Sequence, residues 1–305
     1  MELKPRLKLV SATIITAHIA GPTESTYDKQ WKQAMKTQID KKRFGPWALI
    51  TGASSGIGKE FARQIAASGI NVVLVARREK LLVDLGISLS SEFGVHQRVV
   101  ALDLAEDGFI NRLAEKTNDL DIGLVVSNAG TGSPGKFLTN DIQEMENLLR
   151  LNTRTHLRIA HHFAAKLCSR KRGGLLFVGA MAAEIGFPYM ANDAGAKAYV
   201  QSFAQSLHVE LAPSGVHVTV LTPGATETPV LEKFGMRADK MPMKPMSVQQ
   251  CVSEGLGALI ANRSIIIPGR LNRAMNAIVP QTVVRRMMGK LFEQSLAAKA
   301  SQPKP

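Results

Sequence analysis

Short apolar runs alternate with helix-patterned segments through most of this chain, and that alternation leaves few folds open. "WALITG" (Trp47–Gly52) is a strand-like run ending in glycine, and "KEFARQIAASG" after it has helical spacing. "NVVLVAR" (Asn71–Arg77), "RVVALDL", "IGLVVSNAG", "GLLFVGA" (Gly174–Ala180) and "VHVTVLTPG" continue the strand series, and "SIIIPG" is expected to be a seventh strand. Helices are expected between them, including a long one over roughly Asp141–Ser169 and another over Ala191–Leu211. Continuous apolar strands joined by helices imply right-handed crossovers and a parallel sheet covered on both faces. The expected fold is therefore α/β and doubly wound, in a single domain, with ligands beyond the carboxyl ends of the strands.

The first turn of this series is "TGASSGIG", Thr51 to Gly58. Glycines at 52, 56 and 58 let the backbone approach a pyrophosphate, and the helix that follows offers free N–H groups and the positive end of its dipole. Ser54, Ser55 and Ile57 complete the loop. The second strand ends in Arg77–Arg78 rather than in Asp or Glu. A carboxylate there would bind a free ribose 2′-hydroxyl, whereas arginine favours a 2′-phosphate. The expected cofactor is NADP(H), with Arg77 at the phosphate and the Ser54 hydroxyl as a further donor.

Charge bears on partners. The net charge is +13, but residues 1–46 hold nine Lys/Arg against four Asp/Glu, and residues 263–305 hold eight against one. A near-neutral body with two basic ends is not a nucleic-acid groove. Its ends suit an anionic membrane surface or an acidic partner, or serve solubility alone. Two cysteines, Cys168 and Cys251, make no disulfide framework, so a reducing, cytoplasmic setting is expected. The seven histidines show no metal-ligand spacing, and no metal is expected. Leu9–Ala20 follows Lys4, Arg6 and Lys8, yet Ser, Thr and His interrupt it and His18 spoils a cleavage site after Ala20. Residues 1–45 are read as a basic appendage to a 46–270 domain, and residues 271–305 as a basic amphipathic extension.

Over roughly residues 46–270 the chain resembles a short-chain dehydrogenase/reductase. The matching features are "TGASSGIG", "LDL" with Asp103, "SNAG" at Ser127–Gly130, Asn152, Lys197, and "TPG" at Thr222–Gly224 followed by Thr228. The resemblance implies a Rossmann-like sheet. It places Asp103, beside Leu104, at the adenine, and gives Asn128, with Ala129 and Gly130, a role supporting the cofactor-binding sheet. Pro223, Gly224 and Thr228 would lie along the nicotinamide side. Lys197 would hold the nicotinamide ribose, and Asn152 would help hold a water near that lysine. A homodimer or homotetramer is also implied.

The resemblance fails at two positions. The family's tyrosine, which moves the proton, lies four residues before the lysine, and here that position is Asp193. The family's serine, which hydrogen-bonds the substrate carbonyl, lies thirteen residues earlier, at Ala180. Tyr199 points away from Lys197 around the helix, and Tyr189 falls a full turn too early, at the helix start. Asp193 and Lys197 form an i, i+4 pair in the favourable order, so an ionised carboxylate is expected. The candidate catalytic set is thus Asp193, Lys197 and Asn152. Three functions remain open: an atypical NADP(H) oxidoreductase working through Asp193, a non-redox enzyme (elimination, isomerisation or cyclisation) using it as a general base, and a nucleotide-binding pseudoenzyme.

Two further stretches bear on the substrate. Pro229–Met246 lies where the family carries a mobile substrate loop and contains Met236, Met241, Met243 and Met246. Methionines make adaptable apolar surfaces, so a hydrophobic carbonyl, hydroxyl or acyl substrate is one expectation, and simple packing of the loop is the other. Val284, Met287, Met288 and Leu291 recur at helical spacing, opposite Arg285, Arg286 and Lys290. That face is expected to serve packing, subunit contact or a membrane surface.

Overall fold

The computed structural model describes residues 39–236, 241 and 244–300, with side chains as far as 298. These residues belong to one compact unit beginning at Thr37. Expectations for residues 1–38 and for Met243 lie outside them.

Seven parallel strands form one sheet in the order β3-β2-β1-β4-β5-β6-β7. They are β1 (Trp47–Thr51), β2 (Asn71–Ala76), β3 (Gln97–Ala101), β4 (Ile122–Ser127), β5 (Gly173–Val178), β6 (Val216–Leu221) and the two-residue β7 (Ile265–Ile266). The helices, in chain order, begin with α1 (Lys41–Phe44), α2 (Gly56–Ala67), α3 (Glu79–Phe93), α4 (Phe109–Glu115), α5 (Ile142–Leu149) and α6 (Thr155–Arg170). They continue with α7 (Ala182–Ile185), α8 (Ala191–Leu211), α9 (Pro229–Lys233), α10 (Val248–Ile260), α11 (Arg270–Ile278) and α12 (Gln281–Ala300).

The period-2 geometry of the strands splits the core into two layers. Ile50, Leu74 and Val126 face one way and pack with Phe61 and Ile65 of α2, Leu82 and Leu89 of α3, and Leu256 and Leu259 of α10. Leu49, Val73 and Val125 face the other and pack with Leu113 of α4, Phe163 and Leu167 of α6, and Val200 and Ala204 of α8. The central strands are thus covered on both sides, which is why β1, β2 and β4 read as nearly unbroken apolar runs.

Strand order reverses between β1 and β4, and a crevice opens beyond their carboxyl ends at that switch point. Thr51 ties the two ends together. Its Oγ1 accepts from the backbone N–H groups of Asn128 and Ala129, at 2.9 Å each, and its carbonyl accepts from Asn128 Nδ2 at 2.9 Å.

One expectation is refined by the structure and one is corrected. The helix expected over Asp141–Ser169 is α5 and α6 joined by a π-helical turn, Arg150–Arg154. Asn152 sits in this turn, and π-turns inside helices often mark functional sites because the extra residue re-aims its neighbours. Tyr189 does not begin α8. It stands two residues ahead of that helix with φ 64°, and its ring packs with Met190, Met236 and Phe292 rather than lining the cleft.

Candidate active site

One cavity of about 550 Å³ runs from the switch point to the C-terminal helix. That volume suits a small-molecule site. Gly52, Ser54, Ser55, Gly56, Ile57, Gly58, Arg77, Asp103, Leu104, Asn128, Ala129, Gly130, Ala180, Asp193, Lys197, Pro223, Gly224 and Thr228 all line it.

The nucleotide end is shaped by what its glycines lack. Gly52 and Gly56 have φ 68° and 54°, which side-chain-bearing residues rarely adopt. A β-carbon on Gly58 would collide with the Gly52 carbonyl and stand 2.5 Å from Asn128 Nδ2. Ser55, at the N-cap of α2, makes no side-chain cap hydrogen bond, so the first N–H groups of that helix are left for a ligand. These features fit a dinucleotide pyrophosphate.

At the end of β2, Arg78 Nη2 donates to Ser54 Oγ and Ser55 Oγ, each at 2.8 Å. Arg77 pairs with Asp103 at 3.7 Å and is otherwise largely exposed. Both arginines line the cavity. Sequence reasoning put Arg77 alone at the phosphate, although the Arg77–Arg78 doublet carried the signal for its neighbour.

The chemistry end is built on α8. Asp193 lies in its first turn, 5% exposed, with Ser133 N–H pointing at both carboxylate oxygens at 3.3 and 3.5 Å. Lys197 follows one turn later and donates from Nζ to the Val178 carbonyl at 2.9 Å. Burial pushes the Asp193 carboxyl up from 3.8 to about 6, outweighing the Ser133 N–H and the charges of Lys197 and Lys233. The i, i+4 lysine does favour the ionised carboxylate, as expected, but desolvation is the larger effect and brings the titration within reach of neutral pH. Burial likewise pushes Lys197 down to about 8, with Asp193 opposing.

Asn152 does not line the cavity. It is fully buried, and its side chain clasps Thr131, accepting from Thr131 N–H at 3.0 Å and donating to the Thr131 carbonyl at 2.8 Å. A β-carbon on Gly130 would lie 3.1 Å from Asn152 Oδ1 and 3.3 Å from Lys197 Nζ. The side chain of Asn152 thus ties Thr131, next to Gly130, to the π-turn close to Lys197.

Beyond Asp193 the wall is apolar. Ile185, Phe187 and Met190 form one side, Leu231, Phe234, Met236 and Met241 a second, and Met275, Val284, Met287, Met288, Leu291 and Phe292 a third. The apolar face of α12 therefore faces this cavity. Sequence reasoning recognised the stripe but not its use, because periodicity does not say what a face meets. Met246 packs with the core under α10 rather than in the cavity.

The short chain dehydrogenase family profile matches residues 46–238. The chain belongs to that family. A 7beta-hydroxysteroid dehydrogenase from Clostridium sardiniense is 30% identical over 257 residues, covering 83% of this chain and 98% of the relative. A very-long-chain 3-oxoacyl-CoA reductase from Meyerozyma guilliermondii is 38% identical over 188 residues, covering 58% of this chain and 55% of the relative. The chain thus spans little more than half the length of that second relative. Among solved structures, a short-chain dehydrogenase from Sphingobium yanoikuyae in complex with NADPH superposes with a TM-score of 0.70 at 27% identity, covering 86% of this chain and 98% of the other. A nicotinamide cofactor goes with the family. No helix among the described residues is long and apolar enough to cross a membrane.

Proposed function

We propose that the protein is an NADP(H)-dependent oxidoreductase that interconverts a carbonyl and a hydroxyl on a bulky hydrophobic substrate, with Asp193 moving the proton. The observation that carries this reading is the buried Asp193 carboxyl, pushed up to about 6 by burial, in an apolar chamber continuous with a dinucleotide groove. When bound, the cofactor supplies or accepts the hydride. Arg78, fixed by Ser54 and Ser55, and Arg77 favour a 2′-phosphate, and the NADPH complex of the Sphingobium yanoikuyae neighbour supports that choice.

In the reducing direction, Asp193 in its protonated form donates to the nascent alkoxide. In the oxidising direction, its ionised form takes the hydroxyl proton. A group titrating near 6 serves both roles around neutral pH. The carboxyl is shorter than a tyrosine by roughly 4 Å, so the substrate oxygen must approach closely or through one water. Ala180 offers no hydroxyl to the carbonyl, and the absence of one such donor lowers rates by ~10²–10³-fold. Lys197, one turn along α8 from the carboxyl, would orient the nicotinamide ribose, the role the family resemblance gives it. The relatives' names, a hydroxysteroid dehydrogenase and a very-long-chain 3-oxoacyl-CoA reductase, agree with the apolar wall.

The test pairs calorimetric titration with NADPH and NADH with a turnover screen on 3-oxoacyl thioesters and bulky steroid ketones. Micromolar NADPH binding, much weaker NADH binding and stoichiometric NADPH oxidation are expected. Product formed without redox change would replace this reading with the non-redox one. Tight NADPH binding with no product from any substrate would replace it with a nucleotide-binding pseudoenzyme.

A further inference from the structure

Asp193 is buried by a roof that differs from its scaffold. Phe234 follows the last residue of α9, and its ring lies over Gly132: a β-carbon there would collide with Phe234 and stand 3.0 Å from Asp193 Oδ1. Ring and carboxyl thus converge on one point, and glycine at 132 is what makes room for the ring. Three contacts fix the roof. Ser295 Oγ donates to the Phe234 carbonyl at 2.6 Å, the Phe292 ring lies 6.4 Å from the Phe234 ring, and Lys233 Nζ donates to Thr131 Oγ1 at 2.7 Å. Gly235, with φ 68°, brings the chain close to Ser295, where a β-carbon would stand 2.8 Å from its Oγ.

We propose that Phe234, clamped between Gly132 and the C-terminal helix α12, is a positioning residue that shields the Asp193 carboxyl from water and so governs when it holds a proton. This rests on the reading of Asp193 as the proton-transfer group and adds its regulator. The charged groups acting on Asp193 are Lys197 from α8 itself and Lys233 from α9, and both favour the ionised form. The 130–133 loop contributes the Ser133 N–H, which acts in the same direction. Only loss of water opposes them, and the apolar Phe234 ring and Asp193 Oδ1 crowd the same space above Gly132. Through Ser295, the position of α12 is tied to that shield.

The experiment is ¹³C NMR titration of Asp carboxyl carbons in the full-length protein, with the Asp193 signal assigned by its loss in Asp193→Asn. The wild-type midpoint is expected near 6. Phe234→Ala should lower it by about one pH unit or more, a tenfold drop in proton affinity. Ser295→Ala should lower it less, and Phe234→Leu, which can still cover the carboxyl, should largely retain it. A midpoint unmoved in a folded Phe234→Ala, or in Ser295→Ala if that variant alone folds, overturns the proposal. The titration needs no turnover, so the two claims separate: full activity in Asp193→Asn would defeat the proposed chemistry while the midpoints still decide the role of Phe234.

Discussion

Asp193 is held at a cost, and that cost has a sign. Its native proton affinity is raised from the ordinary 3.8 to about 6. A group raised in the folded state contributes stability that is fully present below pH 4 and lost as pH rises through about 6. One pKa unit is worth about 1.4 kcal/mol, so the ionised carboxylate costs up to about 3 kcal/mol above that range. Asp193→Asn should therefore be more stable than wild type at pH 8, by up to about 3 kcal/mol, and should lose the decline between pH 4 and 6. Urea unfolding at pH 4, 6 and 8 checks this. Stabilisation combined with lost activity is the behaviour of a functional site. The nucleotide end makes a separate prediction. Arg78→Ala should weaken NADPH binding about tenfold or more, from the lost charge-assisted contact, while changing NADH binding little, as read by calorimetry. Of these two sites, the second was largely legible in the sequence, since an arginine doublet at a strand end already specifies charge. The state of Asp193 was not, because an i, i+4 lysine can be read along the chain whereas burial under Phe234 and Ser133 belongs to the fold.

Among the elements, α12 packs its apolar face as one of the expected readings had it, and that face also lines the cavity. Arg285 fastens the helix, donating from Nε and Nη2 to the carbonyl of Ile185, the last residue of α7, at 2.9 and 2.6 Å. Glu184 on α7 accepts from Asn276 of α11 and from Gln201 of α8. The last two helices are thus tied to the same short helix that flanks the chemistry. Arg285→Ala should loosen this wall: KM for a bulky apolar substrate should rise about tenfold, from one lost charge-assisted pair, with NADPH affinity unchanged. An unchanged KM would remove α12 from the substrate site. Strands β1 to β6 and helix α8 were readable because their apolar periods match their geometry. The π-turn at 150–154 was not, since one inserted residue leaves an amphipathic pattern almost intact. The seventh strand was read from "SIIIPG", although only Ile265 and Ile266 of that run pair in the sheet.

Across the described residues, a doubly wound sheet supplies a groove at the β1/β4 switch point, and the segment from α7 to the start of α8 together with the chain after β6 supplies the rest of the chamber. The groove keeps the features that bind a nucleotide. The chamber holds a buried carboxyl, Asp193, under an apolar cover. These two halves work together only if Asp193 delivers the proton that accompanies hydride transfer. The direct measurement is the pH dependence of NADPH oxidation with a bulky hydrophobic ketone, for wild type and Asp193→Asn. Reduction should be fastest below pH 6 and fall as Asp193 ionises, and Asp193→Asn should be slower by at least ~10²-fold with no such fall. An Asp193→Asn variant as fast as wild type, with the same profile, would contradict the account.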